Sequence, residues 1–293
     1  MIVIADGGST KCDWILFDAN GSTRFKVRTK GLNPSMLKRK EIEERLYESQ
    51  DLADFRRMVT GVYFYGAGCG TPKYAALLEK GLAAFFENAM PVRVREDLAG
   101  AVYSCTAEPA VVAILGTGSN CCYFNGTDIE VRMPSLGYTL MDDASGNHLG
   151  KLLLRAFYFK QMPADLEGLF RAEFKLKPAK VKKHLYKKTY PNAYLASFAP
   201  FALGHQEHPF MQGLLRSAFT SFIETHLGFY TEECREVPVH FVGSVAYHAR
   251  KLISAMLEEK GMIPGKFIRR PIDGLLEYHR DHHEPFSGDS PLK

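Results

Sequence analysis

Short apolar runs that end in glycine turns recur along the chain. Ile2–Ala5 is apolar and runs into Asp6-Gly7-Gly8. Cys12–Phe17 predicts a second strand ending in Asn20-Gly21, a two-residue hairpin signal, and Arg24–Thr29 a third. Lys38–Gln50 has helical spacing through Ile42, Leu46 and Tyr47. Val59–Tyr65 is short enough for a buried strand and is followed by Gly66-Ala67-Gly68-Cys69-Gly70. Pro72 suits the first turn of a helix reaching Asn88, Val92–Arg95 reads as a strand, and a helix covers about Asp97 to Cys105.

The order then repeats. Val111–Leu115 is an apolar strand running into Gly116-Thr117-Gly118-Ser119-Asn120; Cys122–Phe124 follows, ends in Asn125-Gly126, and leads to a third strand over Asp128–Met133. Shifted by 110 positions, Ile4-x-x-x-Gly8-Ser9 falls on Ile114-x-x-x-Gly118-Ser119, which internal duplication explains economically. The second half carries more helix: Ser145–Lys160, Asp165–Phe174, Lys180–Lys188 and Phe210–Glu233. A strand at Val239–Val242 passes through Gly243-Ser244 into a helix ending near Lys260. A short strand at Lys266–Arg269 and a helix near Ile272–His282 close the pattern. The expected architecture is α/β, with two lobes and a cleft between them. The N-terminal lobe is expected over residues 1–108. The C-terminal lobe, with helical insertions, is expected over 109–284, its last helix free to pack back on the first lobe. Residues 285–293 are expected to form a disordered tail.

Composition narrows the partners. The 293 residues suit two domains, and 46% hydrophobic with 24% charged residues is globular composition. A net charge of +4 is too small to imply nucleic acid or an anionic membrane. The uncharged stretches Pro109–Thr127 and Thr189–Gln206 are broken by Gly, Pro, Asn or Ser, so no membrane span is expected. The opening MIVIADGG reads as a strand rather than a signal peptide. Six cysteines contain no Cys-x-x-Cys pair, which disfavours zinc knuckles and redox dithiols and points to a reducing, cytoplasmic compartment.

A strand followed by a glycine-rich turn lets backbone N–H groups approach an anion, and Ser or Thr adds hydroxyl donors. Two such turns at equivalent places in two lobes would hold a triphosphate. No G-x-x-x-x-G-K-[ST] is present, which excludes a P-loop. Gly66-x-Gly68-x-Gly70 departs from the Rossmann spacing and reads as a tight strand-to-helix connection.

Asp6-Gly7-Gly8-Ser9-Thr10-Lys11-Cys12-Asp13 resembles the first phosphate motif of the actin-like sugar kinase superfamily. Gly116-Thr117-Gly118-Ser119-Asn120 resembles the second, and Val242-Gly243-Ser244-Val245 the adenosine motif. The GTGSN variant, with Glu96-Asp97-x-Ala99-Gly100 upstream, is similar to the N-acetylglucosamine kinase and BadF/BadG/BcrA/BcrD-type ATPase family. The resemblance covers nearly the whole chain. It implies two ribonuclease-H-like lobes with ATP and Mg²⁺ in the cleft.

Position alone leaves Asp97 as either a helix N-cap or a catalytic base, and Asp6 as either an Asx-turn or a water-mediated Mg²⁺ contact. The resemblance implies the catalytic role for Asp97 and the metal role for Asp6. It assigns Gly7, Gly8, Ser9, Thr10, Gly116, Thr117, Gly118, Ser119, Gly243 and Ser244 to the nucleotide, while Lys11 either adds charge or is merely solvated. It carries sugar-hydroxyl contacts to Asn33, Asp97, Gly137 and Asp142. In the segment matching the family's W-G-x-x-x-G-D-E-G-S, Leu136 replaces the tryptophan, Met141 and Ala144 replace glycines, and Asp143 replaces the glutamate. His205-x-x-His208 and His279-x-x-His282-His283 lack a convincing metal-ligand set, and Lys175–Lys188 reads as a solvated helix face.

The implied activity is ATP-dependent phosphorylation of an N-acetylated amino sugar, first N-acetylglucosamine at O6, by a monomer or homodimer. N-acetylmuramic acid and glucosamine are the alternative acceptors. An ATPase activator of a dehydratase, with a bridging iron–sulfur cluster, is a rival from another class. Sugar-sensing repression would need a helix-turn-helix extension, for which the sequence, starting directly at the first phosphate strand, leaves no room.

Overall fold

The computed structural model describes residues 1–18 and 21–281. Asn20 of the first hairpin signal, His282, His283 and the tail over 285–293 lie outside them. The strands are β1 (Ile2–Gly7), β2 (Lys11–Phe17), β3 (Thr23–Lys30), β4 (Gly61–Gly66), β5 (Val92–Glu96), β6 (Ala110–Leu115), β7 (Ser119–Phe124), β8 (Ile129–Glu130), β9 (Pro238–Val242) and β10 (Ile263–Ile268). They form two five-stranded mixed sheets, in the orders β3-β2-β1-β4-β5 and β10-β9-β6-β7-β8. Counted within each half, both sheets have the order 3-2-1-4-5, so the ribonuclease-H-like arrangement occurs twice. In each, the first and second strands are antiparallel and the first and fourth parallel.

By internal contacts the chain divides into two units. The first takes Met1–Glu108, Asn125–Glu130 and the segment from Arg270; the second takes Pro109–Phe124 and Val131–Arg269.

In the first unit the central strands are covered on both faces, which is why β1, β2 and β4 read as nearly continuous apolar runs. One face carries Val3, Ala5, Trp14, Leu16 and Phe64 against Ile42, Leu46, Leu78 and Leu82. The other carries Ile4, Ile15, Tyr63 and Tyr65 against Ala99, Ile272, Leu275 and Leu276. The helix Asp97–Cys105 therefore shares a layer with the helix Pro271–Asp281. The helix expected over Lys38–Gln50 spans Arg39–Tyr47, and a second, Gln50–Phe55, follows it, because Ser49 caps a new start by accepting from the Leu52 N–H.

The second unit has a core rich in phenylalanine. Phe170 meets Phe157, Phe174 and Phe201 at centroid separations of 5.5, 4.9 and 4.9 Å. The strand expected over Asp128–Met133 shrinks to Ile129–Glu130, and the helix expected over Phe210–Glu233 ends at Thr225 before a 3₁₀ turn at Leu227–Tyr230. All six cysteines are buried free thiols.

Candidate active site

β1 carries Asp6 and Gly7 to its C-terminal end, and Gly8-Ser9-Thr10 turns the chain into β2. The Gly8 N–H closes the turn on the Lys11 carbonyl at 2.8 Å. Among the described residues the N–H groups of Ser9 and Thr10 have no acceptor, so two donors remain for an anion. The two glycines do different work. A Cβ on Gly7 would lie 2.2 Å from the Phe64 ring, so Gly7 is small to admit core packing, whereas Gly8 meets only the Lys11 carbonyl oxygen at 3.5 Å.

Across the ladder Asp6 is paired with Asp13, which puts both carboxyls on one face. Asp13 accepts from Arg28 Nε at 2.6 Å and Nη2 at 3.3 Å, and Arg270 stands 3.7 Å away. Lys11 is largely exposed, its Nζ 4.0 Å from Asp13. Burial, followed by repulsion from Asp13 and Asp97, pushes the Asp6 carboxyl up to about 7 against the pull of Lys11 and Arg270. At the end of β5, burial and Asp97 push Glu96 up to about 7 as well. Asp97 opens its helix in the first-turn position, and Glu96, the residue before it, makes no capping bond. Asp6, Asp13, Glu96 and Asp97 thus crowd one end of one sheet. Among the described residues no group of three or more His, Cys, Asp or Glu is arranged to hold a metal ion. The carboxylates suit an ion that takes one or two of them plus phosphate oxygens and water, as Mg²⁺ does.

Asn33 is buried beside the same turn. Its Nδ2 donates to Ser9 Oγ at 2.8 Å, and its Oδ1 accepts from the Ser35 N–H and hydroxyl at 2.9 and 2.6 Å. Its carboxamide therefore fixes the loop that follows β3 to the hairpin.

In the second unit β6 ends at Leu115, and Gly116-Thr117-Gly118 leads into β7. The Gly116 N–H donates to the Gly118 carbonyl at 3.0 Å, and among the described residues the Thr117 and Gly118 N–H groups have no acceptor. Ser119 points inward: it is buried, and its Oγ has no partner. Asp142 is drawn to this turn, its Oδ1 accepting from the Ser119 N–H at 3.3 Å and its Oδ2 from Asn147 Nδ2 at 2.8 Å. Burial raises the Asp142 carboxyl, and the bonds from Asn147 and Ser119 oppose the rise. Asp142 and Ala144 both adopt positive φ, 67° and 57°, strained values for residues with a Cβ. Gly137, at φ 78°, opens a short turn, its carbonyl accepting from the Leu140 and Met141 N–H groups. Gly243 has φ 116°, and a Cβ there would lie 2.4 Å from the Leu115 carbonyl oxygen, so the turn after β9 lies directly on the end of β6; Ser244 is exposed beside it.

The structure thus gathers Asp6, Asp97, Gly8, Ser9, Thr10 and Asn33 in the first unit. It gathers Gly116, Thr117, Gly118, Ser119, Asp142 and Gly243 in the second. Three residues join them without a sequence-level role: Asp13, Glu96 and Asn147. An acid inside the buried strand Lys11–Phe17 is a readable signal for Asp13. Asn147, fully buried in the helix Gly146–Tyr158, has no such signal. Other histidines have structural partners: His208 pairs with Asp165 at 3.2 Å, and His279 meets the Tyr65 hydroxyl at 3.0 Å. No helix among the described residues is long and apolar enough to cross a membrane.

No family model and no curated protein matches the chain. Solved structures do. A protein from Porphyromonas gingivalis described as a "putative N-acetylglucosamine kinase" is 35% identical, with TM-score 0.90, over 97% of this chain and 100% of that one. Another so described, from Chromobacterium violaceum, is 18% identical with TM-score 0.67 over 94% and 98%. A ROK family glucokinase from Streptomyces griseus, in complex with glucose and AMPPNP, is 14% identical with TM-score 0.59 over 94% and 97%. The last two share the fold; the first, similar in sequence from end to end, shows that the chain belongs to the N-acetylglucosamine kinase and BadF/BadG-type ATPase family of the actin-like sugar kinase superfamily.

Proposed function

We propose that this protein is an ATP-dependent kinase that phosphorylates a hydroxyl of an N-acetylated amino sugar, N-acetylglucosamine first. The observation that carries the reading is the juxtaposition, at one sheet end, of Asp97, Asp6 and a turn with two unclaimed amide donors. Phosphoryl transfer requires such parts: amides and cations on the phosphate oxygens and a carboxylate beside the attacking hydroxyl.

Asp97 accepts the proton of the sugar hydroxyl as its oxygen attacks the γ-phosphorus; the bond to the bridging oxygen breaks and ADP leaves. Ser9, Thr10, Thr117 and Gly118 offer their N–H groups to phosphate oxygens, with Gly7 and Gly8 shaping the first turn and Gly116 the second. Lys11 adds positive charge. Gly243 and Ser244 serve the adenosine. Mg²⁺, held through water by Asp6, would neutralise charge on the phosphates. Asn33, Gly137 and Asp142 form the sugar-recognising set. Asn33 keeps one Nδ2 hydrogen beyond its bond to Ser9, and the Asp142 carboxylate keeps lone pairs beyond its two bonds. The buried state of all six thiols weighs against cluster chemistry.

Release of ADP, measured by a coupled assay with N-acetylglucosamine, N-acetylmuramic acid, glucosamine and glucose, tests the proposal. The expected result is sugar-dependent release, greatest with N-acetylglucosamine. ATP hydrolysis indifferent to every sugar would refute it.

A further inference from the structure

The Asn147 side chain touches both functional segments of the second unit. Its Nδ2 donates to Asp142 Oδ2 at 2.8 Å and to the Thr117 carbonyl at 2.7 Å, while its backbone N–H donates to the same Thr117 carbonyl at 3.1 Å. Both atoms facing Nδ2 are acceptors, which fixes the orientation of the carboxamide. Asp142 in turn holds the Ser119 N–H, so the bonds close a ring: Asp142, Ser119, the turn, Thr117, Asn147, Asp142. The helix start adds the Gly146 N–H on the Gly116 carbonyl at 2.8 Å. Gly116, Thr117 and Ser119 are thereby gripped, through Gly116 O, Thr117 O and the Ser119 N–H. The amides left over are those of Thr117 and Gly118.

A second observation separates this residue from ordinary packing. Asn147 is fully buried, and its Oδ1 has no hydrogen-bond partner. An apolar residue of similar size would avoid that unpaired carbonyl, so the position is built around the two hydrogens on Nδ2.

We propose that Asn147 is a positioning residue that couples the sugar-recognising carboxylate of Asp142 to the phosphate turn, so that sugar and nucleotide each tighten the binding of the other. The inference rests on the kinase reading above. A sugar hydroxyl on Asp142 restrains the carboxylate; the carboxylate restrains Nδ2 and the Ser119 N–H; these set the direction of the Thr117–Gly118 amides. Coupling of this kind is reciprocal by linkage.

The test is calorimetric titration of AMPPNP, with and without saturating N-acetylglucosamine, on the wild-type protein and on Asn147→Ala and Asn147→Ser. Wild type is expected to bind AMPPNP about fivefold or more tightly with sugar present, within the usual range of such couplings. Asn147→Ala is expected to bring that ratio close to one. Asn147→Ser, which keeps one donor, is expected to retain part of it. A purely structural role would lower the melting temperature and leave the ratio intact, which would overturn the inference. Wild type that binds both ligands independently overturns it too, with the kinase reading standing. Wild type that binds neither removes both. Should the variants fail to fold, hydrogen exchange on wild type decides: sugar alone is expected to slow the amides of Gly116–Ser119, and unchanged exchange there would refute the coupling.

Discussion

Asp6 and Glu96, both held up to about 7 by burial and like charge, make the end of the first sheet sensitive to pH. A carboxyl whose pKa is higher folded than unfolded binds more protons in the folded state between about pH 4 and 7, so stability falls as pH rises through that window and then levels. Asp6→Asn should therefore raise the melting temperature at pH 8, by the equivalent of about 2–4 kcal/mol, and leave it nearly unchanged at pH 3, as read by thermal denaturation without Mg²⁺. Asp97→Asn should fold normally and lose ~10²-fold or more in kcat with little change in nucleotide affinity; near-wild-type turnover would end its assignment as base. The sequence exposed the residue types of this site well, because turns and strand ends show themselves as glycine and acid at fixed places. It did not expose their attachments. Asn33 donates to Ser9, Asp142 accepts from the Ser119 N–H of the second turn, and Gly7 owes its size to Phe64. Those are contacts between segments far apart in the chain, and local pattern carries no trace of them.

At the scale of elements, the strands beside the glycine turns were readable because they alternate or run apolar before an abrupt turn. The losses have identifiable causes. Pro191 and Pro200 look like breakers of the uncharged stretch Thr189–Gln206, yet each lies in the first turn of a short helix, Pro191–Ala196 and Ala199–Gly204, where a missing N–H costs little. The helix expected from Gly243-Ser244 to Lys260 is two, Ser244–His248 and Arg250–Glu259, separated at Ala249. Close approach also sets one sharp expectation. A Cβ on Gly274 would lie 2.4 Å from the Ser104 carbonyl oxygen, so the helix Pro271–Asp281 meets Asp97–Cys105 backbone to backbone there. Gly274→Leu should force the two apart and destabilise the protein by about 2 kcal/mol or more in urea denaturation, whereas an exposed change such as Glu277→Gln should have almost no effect.

For the whole molecule, the repeated sheet order explains why a duplication with few identities was still legible: the order of strands and turns persists where residues do not. The assembled protein should respond to its nucleotide as one ligand-linked system. Saturating AMPPNP with Mg²⁺ should raise the melting temperature, by the equivalent of about 2.7 kcal/mol at a hundredfold excess over Kd, and EDTA should abolish phosphotransfer. The segment from Arg270 completes the first unit, although the second unit lies between them in the chain. Ile4, Tyr65 and Ala99 are covered by Ile272, Leu275 and Leu276, which leave the ribosome only after that whole intervening stretch. At translation speeds of ~5–20 residues per second, the nascent N-terminal portion waits roughly 10–30 s with an oily flank bare. Birth order thus sets a folding order: the half made first is the half finished last.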